Sequence, residues 1–279
     1  MSDVIRTFKE AVFDRMGECR DVVKKRFEKS VGIVYAADEN RKVTSLGSCI
    51  YMQVDGHKYL VTAAHVIDEA NTVDLAASGS DKPFIIEGGA GITKKPPAGR
   101  KGDIADFAFL KLTDAQVAHF GDDVEFIDAE DVSLNRGTME GRQFLVLGFP
   151  ASKNKGLHSI NMVEKKLTPR RWSYFDFCAA LNDDDVRAIG LEPDINLLVK
   201  FSPDQCLDED GNKANTISPK GVSGGALIDM SLPTIEGLDP SRECPGRLCG
   251  VMIEVRKDEC LLVAVKIQHV IDAIRNFRD

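Results

Sequence analysis

The stretch GVSGGALID, residues 221–229, places three glycines around one serine, Ser223, directly before an apolar run. Glycine loses more backbone freedom on folding than other residues. This density therefore indicates a place where the chain needs unusual dihedral angles or a close approach of backbone. Taken alone, the stretch is compatible with two interpretations. It is either a tight glycine-rich turn or a catalytic loop whose serine is a nucleophile.

The sequence from Val31 onward consists of short apolar or alternating runs separated by clusters of Gly, Asp, Asn, Pro and Lys. Many short strands with turn signals between them are typical of an all-β sandwich or barrel. Apolar residues at helical spacing within 3–29, with Ser2 or Asp3 as N-cap, predict a first helix, and the run 267–277 predicts a closing one. We therefore expect a mostly β fold with a helix at each end.

The composition excludes several classes of function. The chain has 279 residues, 43% hydrophobic and 29% charged, so it can bury an ordinary core. A formal net charge of −8 argues against nucleic acid or an acidic membrane surface as a partner. The first 30 residues lack the apolar segment of a secretion signal, and no run is long enough to cross a membrane. We expect a cytoplasmic protein.

The seven cysteines are scattered, and no C-x-x-C pair occurs among them. In a chain without a secretion signal, this pattern predicts reduced, buried thiols. Cys244 and Cys249 have no His or Cys pair nearby at zinc spacing, so no metal site is predicted. The GGAG stretch at 88–91 lacks the lysine of a phosphate loop. The sequence predicts no cofactor.

Two further motifs give the serine a chemical context. LVTAAHVID places His65 after a strand-like run, and DFAFLKL opens with Asp106. A serine nucleophile needs an imidazole to take its proton and a carboxylate to orient that imidazole. Separately, His65 could be a core histidine and Asp106 a turn cap, with Asp103 as a rival carboxylate. Together, in the order His, Asp, Ser, they favour catalysis.

These motifs resemble those of the trypsin-like (chymotrypsin-fold) serine peptidases, most of all the compact bacterial members without a PDZ domain. The resemblance is carried by TAAH, DFAFL and GVSGG, and by GSCIYM (47–52), LGFP (147–150) and GVMIEV (250–255). It implies two six-stranded antiparallel β-barrels. The N-terminal helix would occupy 1–30, the first barrel 31–135 with His and Asp, and the second barrel and C-terminal helix 136–279 with Ser.

The resemblance also assigns roles to individual residues. His65 would be the general base and acid, Asp106 the orienting carboxylate and Ser223 the nucleophile. The backbone N–H groups of Gly221 and Ser223 would form the oxyanion hole, where a glycine lets both groups face one point.

Substrate recognition follows from the same resemblance. The strand containing Met252, Ile253, Glu254 and Val255 would pair with the substrate backbone as an added antiparallel strand. Ile217, six residues before the serine, would form an apolar floor of the S1 pocket. A buried cation would lack a partner there, so we expect a small or medium apolar P1 residue.

The sequence departs from the secreted members of the family before the serine. Those members have an Asp that captures a newly released N-terminus, whereas this chain has Val222, so activation by that ion pair is not expected. We predict an intracellular serine endopeptidase that forms an acyl-enzyme and is regulated by a partner or signal. A catalytically idle protein- or peptide-binding module and a small-molecule esterase are the alternatives. The N-terminal helix either packs on its own domain or is a docking or oligomerisation arm, and it is the candidate contact for a regulatory protein.

Overall fold

The computed structural model describes residues 7–37, 43–68, 74–78, 84–97, 99–100, 102–133, 141–152, 154, 169–202, 219–231, 237 and 239–277. The fold is mostly β, with two curled antiparallel sheets and a helix at each end, as a chymotrypsin-like double barrel has. The fold class predicted from the sequence is confirmed. The predicted S1 residue, Ile217, lies outside the described residues.

The first sheet is built from consecutive segments of the N-terminal half. The strands are β1 Val31–Ala37, β2 Val43–Val54, β3 His57–Ala63, β4 Asp74–Ser78, β5 Phe84–Ile85, β6 Ala90–Ile92, β7 Phe107–Lys111 and β8 Ile127–Asp128. Their order in the sheet is β5-β4-β1-β2-β3-β7-β6, and β8 pairs in parallel with β2, so within the described residues the sheet has eight strands rather than the expected six. The two shortest strands, β5 and β8, have only two residues each.

The second sheet has six strands in the order β10-β9-β12-β13-β14-β11. Its two ends meet where Cys178 forms an antiparallel bridge with Val199 and the Ala179 N–H donates to Leu198 O at 3.0 Å. This contact closes the sheet into a barrel. The strands are β9 Gln143–Gly148, β10 Trp172–Phe177, β11 Asn196–Lys200, β12 Ala226–Asp229, β13 Arg247–Arg256 and β14 Leu261–Lys266.

The helices are α1 Phe8–Phe27, α2 Ala64–Asp68, α3 Asp114–Phe120, α4 Asp183–Ala188 and α5 Ile267–Asn276. The expected N-cap residues, Ser2 and Asp3, lie outside the described residues. Thr7 caps α1, because its side chain accepts from the Glu10 N–H while the Glu10 carboxylate accepts from the Thr7 N–H, a capping box. None of the described helices combines the length and the apolarity needed to cross a bilayer.

Helix α1 packs on the second sheet. Val23 and Phe27 are buried, and a Cβ atom at Gly246 would lie only 2.8 Å from Val23. Arg15 donates to Gly237 O at 3.1 Å and to Arg242 O at 2.6 Å. The first turns of α1 are more exposed, with Phe8 65% and Phe13 59% accessible. The interpretation of a helix packed on its own domain thus applies to the C-terminal half of α1.

A disulfide joins Cys19 of α1 to Cys244, with Cα atoms 5.0 Å apart and a sequence separation of 225. The expectation of reduced thiols throughout is therefore wrong for this pair. Among the other described cysteines, Cys49 and Cys249 are buried, as expected, whereas Cys178 is half-buried and Cys260 is exposed. The pairing depends on where α1 packs, which sequence spacing does not reveal.

The disulfide predicts a covalent link between the N-terminal helix and the segment before β13. In a digest made without reductant, we expect the peptide containing Cys19 to be joined to the peptide containing Cys244 in mass spectra. Replacing Cys19 by Ser should lower the free energy of unfolding by about 2–5 kcal/mol, as loss of a native disulfide commonly does.

The matched control is Cys260→Ser, which changes an exposed free thiol. It should leave both the cross-linked peptide and the denaturation midpoint unchanged. Recovery of Cys19 and Cys244 as separate alkylated peptides from untreated protein would contradict the pairing.

Candidate active site

His65 is the second residue of α2, the short helix that follows β3. Every residue of β3 from Tyr59 to Ala63 is buried, so the strand is fixed in the core up to the point where the helix begins. The turn into α2 leaves the imidazole partly accessible, with 30% of the side chain exposed. The Ala64 N–H donates to Asp106 O at 3.0 Å, which holds the start of α2 against the residue before β7.

The structure brings His65 and Asp106 together. Asp106 Oδ2 lies 2.5 Å from His65 Nδ1, and Oδ1 accepts the His65 backbone N–H at 3.0 Å. A carboxylate that accepts from Nδ1 fixes the proton there and leaves Nε2 as the basic nitrogen. The Asp106 side chain is 6% exposed. Its burial raises the pKa of the carboxyl, while the hydrogen bonds from His65 act in the opposite direction.

Asp103, the rival carboxylate, has a different role. Its Oδ1 accepts the backbone N–H groups of Ala105 at 3.2 Å and Asp106 at 3.0 Å. Its Oδ2 accepts from Arg100 at 2.7 Å. Asp103 therefore caps the turn that presents Asp106, and it is Asp106 that contacts the imidazole.

Ser223 lies in the turn before β12, and this turn brings it beside α2. A Cβ atom added to Gly47 would lie 2.6 Å from Val66, the neighbour of His65, and 2.9 Å from Ser223 O. The absence of a side chain at Gly47 thus lets the two segments approach each other. Gly221 and Gly224 have φ angles of +96° and +84°, which favour glycine. The glycine density in the sequence reflects these positions.

The three peptide groups before Ser223 are each held through their carbonyl oxygen. Lys220 O accepts from Ala151 N at 2.7 Å, Gly221 O from Ser48 Oγ at 2.9 Å, and Val222 O from Gly225 N at 2.8 Å. In a planar trans peptide the N–H points away from the carbonyl. The Gly221 N–H is thus directed away from Ala151.

Two backbone donors remain for a ligand at this turn. The Val222 N–H donates to Pro219 O at 2.9 Å. Within the described part of the chain, by contrast, the N–H groups of Gly221 and Ser223 donate no hydrogen bond. These are the two groups that the sequence predicted as oxyanion donors.

The Ser223 hydroxyl is hydrogen-bonded to a backbone carbonyl rather than to the imidazole. Its Oγ donates to Ile253 O at a long 3.4 Å, and among the described residues no hydrogen bond joins Ser223 to His65. Catalytic hydrogen bonds are often long or misaligned before substrate binds. The contact nevertheless means that the hydroxyl must rotate before His65 can take its proton.

The expected substrate strand divides into two parts. Met252 differs from the prediction, because its N–H donates to Gly225 O at 2.8 Å and its carbonyl accepts from Gly224 N at 2.7 Å, which leaves no backbone group for a peptide. Ile253 lies at a bulge of β13.

Glu254 and Val255, with Ile253, extend past the last pair between β13 and β12, which is Val251 with Ala226. They are the part of the predicted edge that continues beyond β12. The Glu254 carboxylate is 2.9 Å from Arg256 Nε.

Ser48 contributes to the site and was not recognised from the sequence. Only the GSCIYM motif around it was noted, as a part of the resemblance. Ser48 is fully buried within the apolar β2, and its Oγ also accepts from the Phe149 N–H at 2.8 Å. A hydroxyl inside an apolar strand must find partners there, and this requirement is the signal that could have identified it.

Comparison with known proteins supports the fold and nothing finer. No protein-family model matches the chain, and no curated protein gives a significant match. HL collagenase, solved at 1.7 Å resolution, is similar with a TM-score of 0.52 and 14% identity, covering 88% of this chain and 92% of that one. A chain from the study of coupled folding and binding of the intrinsically disordered Sesbania mosaic virus VPg protein has a TM-score of 0.45 and 13% identity, covering 88% and 90%. The similarity to HL collagenase places this chain in the same fold.

Proposed function

We propose that this chain is a serine endopeptidase in which Ser223, His65 and Asp106 act together. The observation that carries the proposal is the 2.5 Å pair of His65 and Asp106 beside a serine whose turn leaves two backbone N–H groups without an acceptor among the described residues. One group can accept a proton, one can attack, and two donors can stabilise the resulting anion. HL collagenase, a peptidase by its name, has this fold, which agrees with the proposal but does not carry it.

The proposed reaction begins with rotation of Ser223 Oγ from Ile253 O toward His65 Nε2. The imidazole takes the hydroxyl proton as Oγ bonds to the substrate carbonyl carbon, and the N–H groups of Gly221 and Ser223 donate to the oxyanion. The imidazolium then protonates the departing amine as the C–N bond breaks, leaving the acyl-enzyme. A water molecule then attacks the acyl carbon while His65 takes one of its protons. The bond between that carbon and Ser223 Oγ breaks, the imidazolium returns the proton to Oγ, and the acid is released.

The oxyanion turn is held without an ion pair to a new N-terminus. Val222, where the secreted members have Asp, is 1% exposed and packs in the core of the second sheet. The carbonyl contacts of the turn supply the order that such an ion pair would otherwise give. We therefore propose an enzyme that needs no N-terminal cleavage.

The second candidate is an idle binding module with a protease fold. It is favoured by one observation, the hydrogen bond of Ser223 to Ile253 O where a triad would have one to His65. A peptide could then pair with the edge formed by Ile253, Glu254 and Val255 without being cleaved.

A regulatory role for α1 stays a proposal. Its C-terminal half is part of the core through Val23 and Phe27, and Cys19 links it to the second sheet. Removing residues 1–28 would therefore disturb the fold itself. The exposed apolar residues of α1, Phe8, Phe13 and Val22, are accessible to a regulatory protein.

Labelling with a fluorophosphonate distinguishes the enzyme from the binding module. We expect the wild-type protein to react and Ser223→Ala to be inert, because the probe bonds to an activated serine oxygen. Asp106→Asn should lower the labelling rate by about 10³–10⁴, since the imidazole loses the partner that sets its tautomer. The measurement is the second-order rate constant of labelling.

Two variants serve as controls for this experiment. Ser241→Ala removes an exposed hydroxyl that bonds Asp239, and it should label like the wild type. Asp103→Asn affects the turn cap, so its effect should be much smaller than that of Asp106→Asn. No labelling of folded wild-type protein would favour the binding module, and a larger loss with Asp103→Asn would refute the assignment of Asp106.

The oxyanion turn is tested by Gly221→Ala. A Cβ atom there would lie 2.6 Å from Ala151 N on a backbone with φ +96°, so the peptide must move. We expect the labelling rate to fall by about 10²–10³, the usual effect of losing one oxyanion donor. Gly190→Ala is the matched control, because Gly190 also has a positive φ of +75° but no atom within 4 Å of a Cβ. Equal rates for the two variants would argue against an oxyanion hole at this turn.

A further inference from the structure

Ser48 forms hydrogen bonds with three segments around the candidate nucleophile: the turn at 221–223, strand β3 and the end of β9. Its N–H donates to Ser223 O at 2.8 Å, and its carbonyl accepts from Thr62 Oγ1 at 2.7 Å. Its hydroxyl lies between Phe149 N, at 2.8 Å, and Gly221 O, at 2.9 Å. Thr62 belongs to the strand that leads to the catalytic histidine, so Ser48 connects the two halves of the site.

The direction of the hydrogen bonds at this hydroxyl is fixed. The Phe149 N–H can only donate, so Ser48 Oγ accepts from it. Gly221 O can only accept, so the single hydroxyl proton must point to it. The hydroxyl therefore accepts a hydrogen bond from the end of β9 and donates one to the peptide between Gly221 and Val222.

Among the described residues, no substitute for these two hydrogen bonds of Ser48 Oγ is evident. Gly148 leaves little room, because a Cβ atom there would be 3.0 Å from both Ser48 Oγ and Val222 Cγ1. Without the hydroxyl, Gly221 O would lose its donor in a buried position, which is costly unless the group finds another partner. Glycine allows the easiest relief, rotation of the peptide about the Gly221 backbone. That peptide carries the Val222 N–H and lies between the peptides of the two donors, so a change in the Gly221 ψ angle changes the direction of the Gly221 N–H relative to the Ser223 N–H.

We propose that Ser48 is a positioning residue that holds the two oxyanion donors toward one point. This inference rests on the proposed function, since it assigns a task within that reaction. Ser48 touches no reacting atom and acts through Gly221 O. Its loss should therefore weaken stabilisation of the anion while leaving the binding of an uncleaved peptide largely unchanged.

The test compares Ser48→Ala with Ser78→Ala. Ser78 is equally buried and lies in β4, two strands away from β2, so its loss reports the general effect of deleting a buried hydroxyl. In Ser48→Ala we expect faster amide hydrogen exchange in 219–225, and a fluorophosphonate labelling rate lower by about ten- to a hundredfold, less than for complete loss of a donor. With a cleaved peptide, kcat should fall and KM should stay close to its wild-type value. Ser78→Ala should show none of these changes.

The outcomes separate this inference from the proposed function. If the wild type does not label, the proposed function fails, and hydrogen exchange alone decides whether Ser48 orders the turn. If exchange in 219–225 is the same in both variants, the inference is overturned whatever the labelling shows. If exchange rises but the labelling rate is unchanged, Ser48 orders the turn without positioning the donors, and the inference is again overturned.

Discussion

The contact between strand β2 and the turn at Ser223 is the constraint on which the rest of the site depends. Ser48 N–H donates to Ser223 O at 2.8 Å, and the neighbouring Gly47 is packed between that oxygen and Val66. Gly224 faces the Ser48 carbonyl with no space for a side chain. Because β2 belongs to the first sheet and the turn to the second, this contact sets the distance between the histidine helix and the serine turn. The glycines make that approach possible, and the buried serine supplies the hydrogen bonds that a close approach of backbone requires.

A network of charges fixes the other side of the histidine. Arg100 donates to Asp68 at 3.0 Å and to Asp103 at 2.7 Å, so it joins the last residue of α2 to the turn before Asp106. The hydrogen bond from Arg100 is the main cause that lowers the pKa of Asp68. The guanidinium is largely buried, where a planar fork that serves two carboxylates is better satisfied than a lysine would be. His65 is thus oriented through its helix as well as through its own bond to Asp106.

The sequence was informative where local pattern decides structure. Most predicted strands lie where the apolar runs are, because alternation and β-branched residues report burial directly. Strand β10 has a weaker pattern, because its buried Trp172 and Tyr174 alternate with less buried residues but no aliphatic run marks it. The N-cap at Thr7 carried a readable signal in the capping box formed with Glu10. Contacts between residues distant in sequence were not predictable, because spacing along one chain does not report proximity in space; the disulfide of Cys19 is the clearest case.

The candidate site shows the same division between local and distant information. The histidine, aspartate and serine each carry a local motif, so a single sequence is enough to nominate them. The task of Ser48 is defined only by its partners Phe149 and Gly221, which lie 101 and 173 residues away. The sequence predicted that the Met252 backbone would pair with a substrate, because it does not reveal that this backbone bonds to the turn at Gly225. Backbone groups have no sequence signature, so their availability follows from the fold alone.

The difference between an enzyme and a binding module here reduces to the orientation of one hydroxyl. The 3.4 Å bond from Ser223 to Ile253 O is at the long limit for a hydrogen bond and is worth little. The Ser223 hydroxyl reaches another staggered position by one rotation about the Cα–Cβ bond, and the side chain that must move is small. The features of a triad that cost folding free energy are the burial of Asp106 beside His65 and the ordered glycine backbone at Gly221, and both are present here. A module that only binds peptides gains nothing from a buried carboxylate against an imidazole, so these features favour catalysis over binding alone.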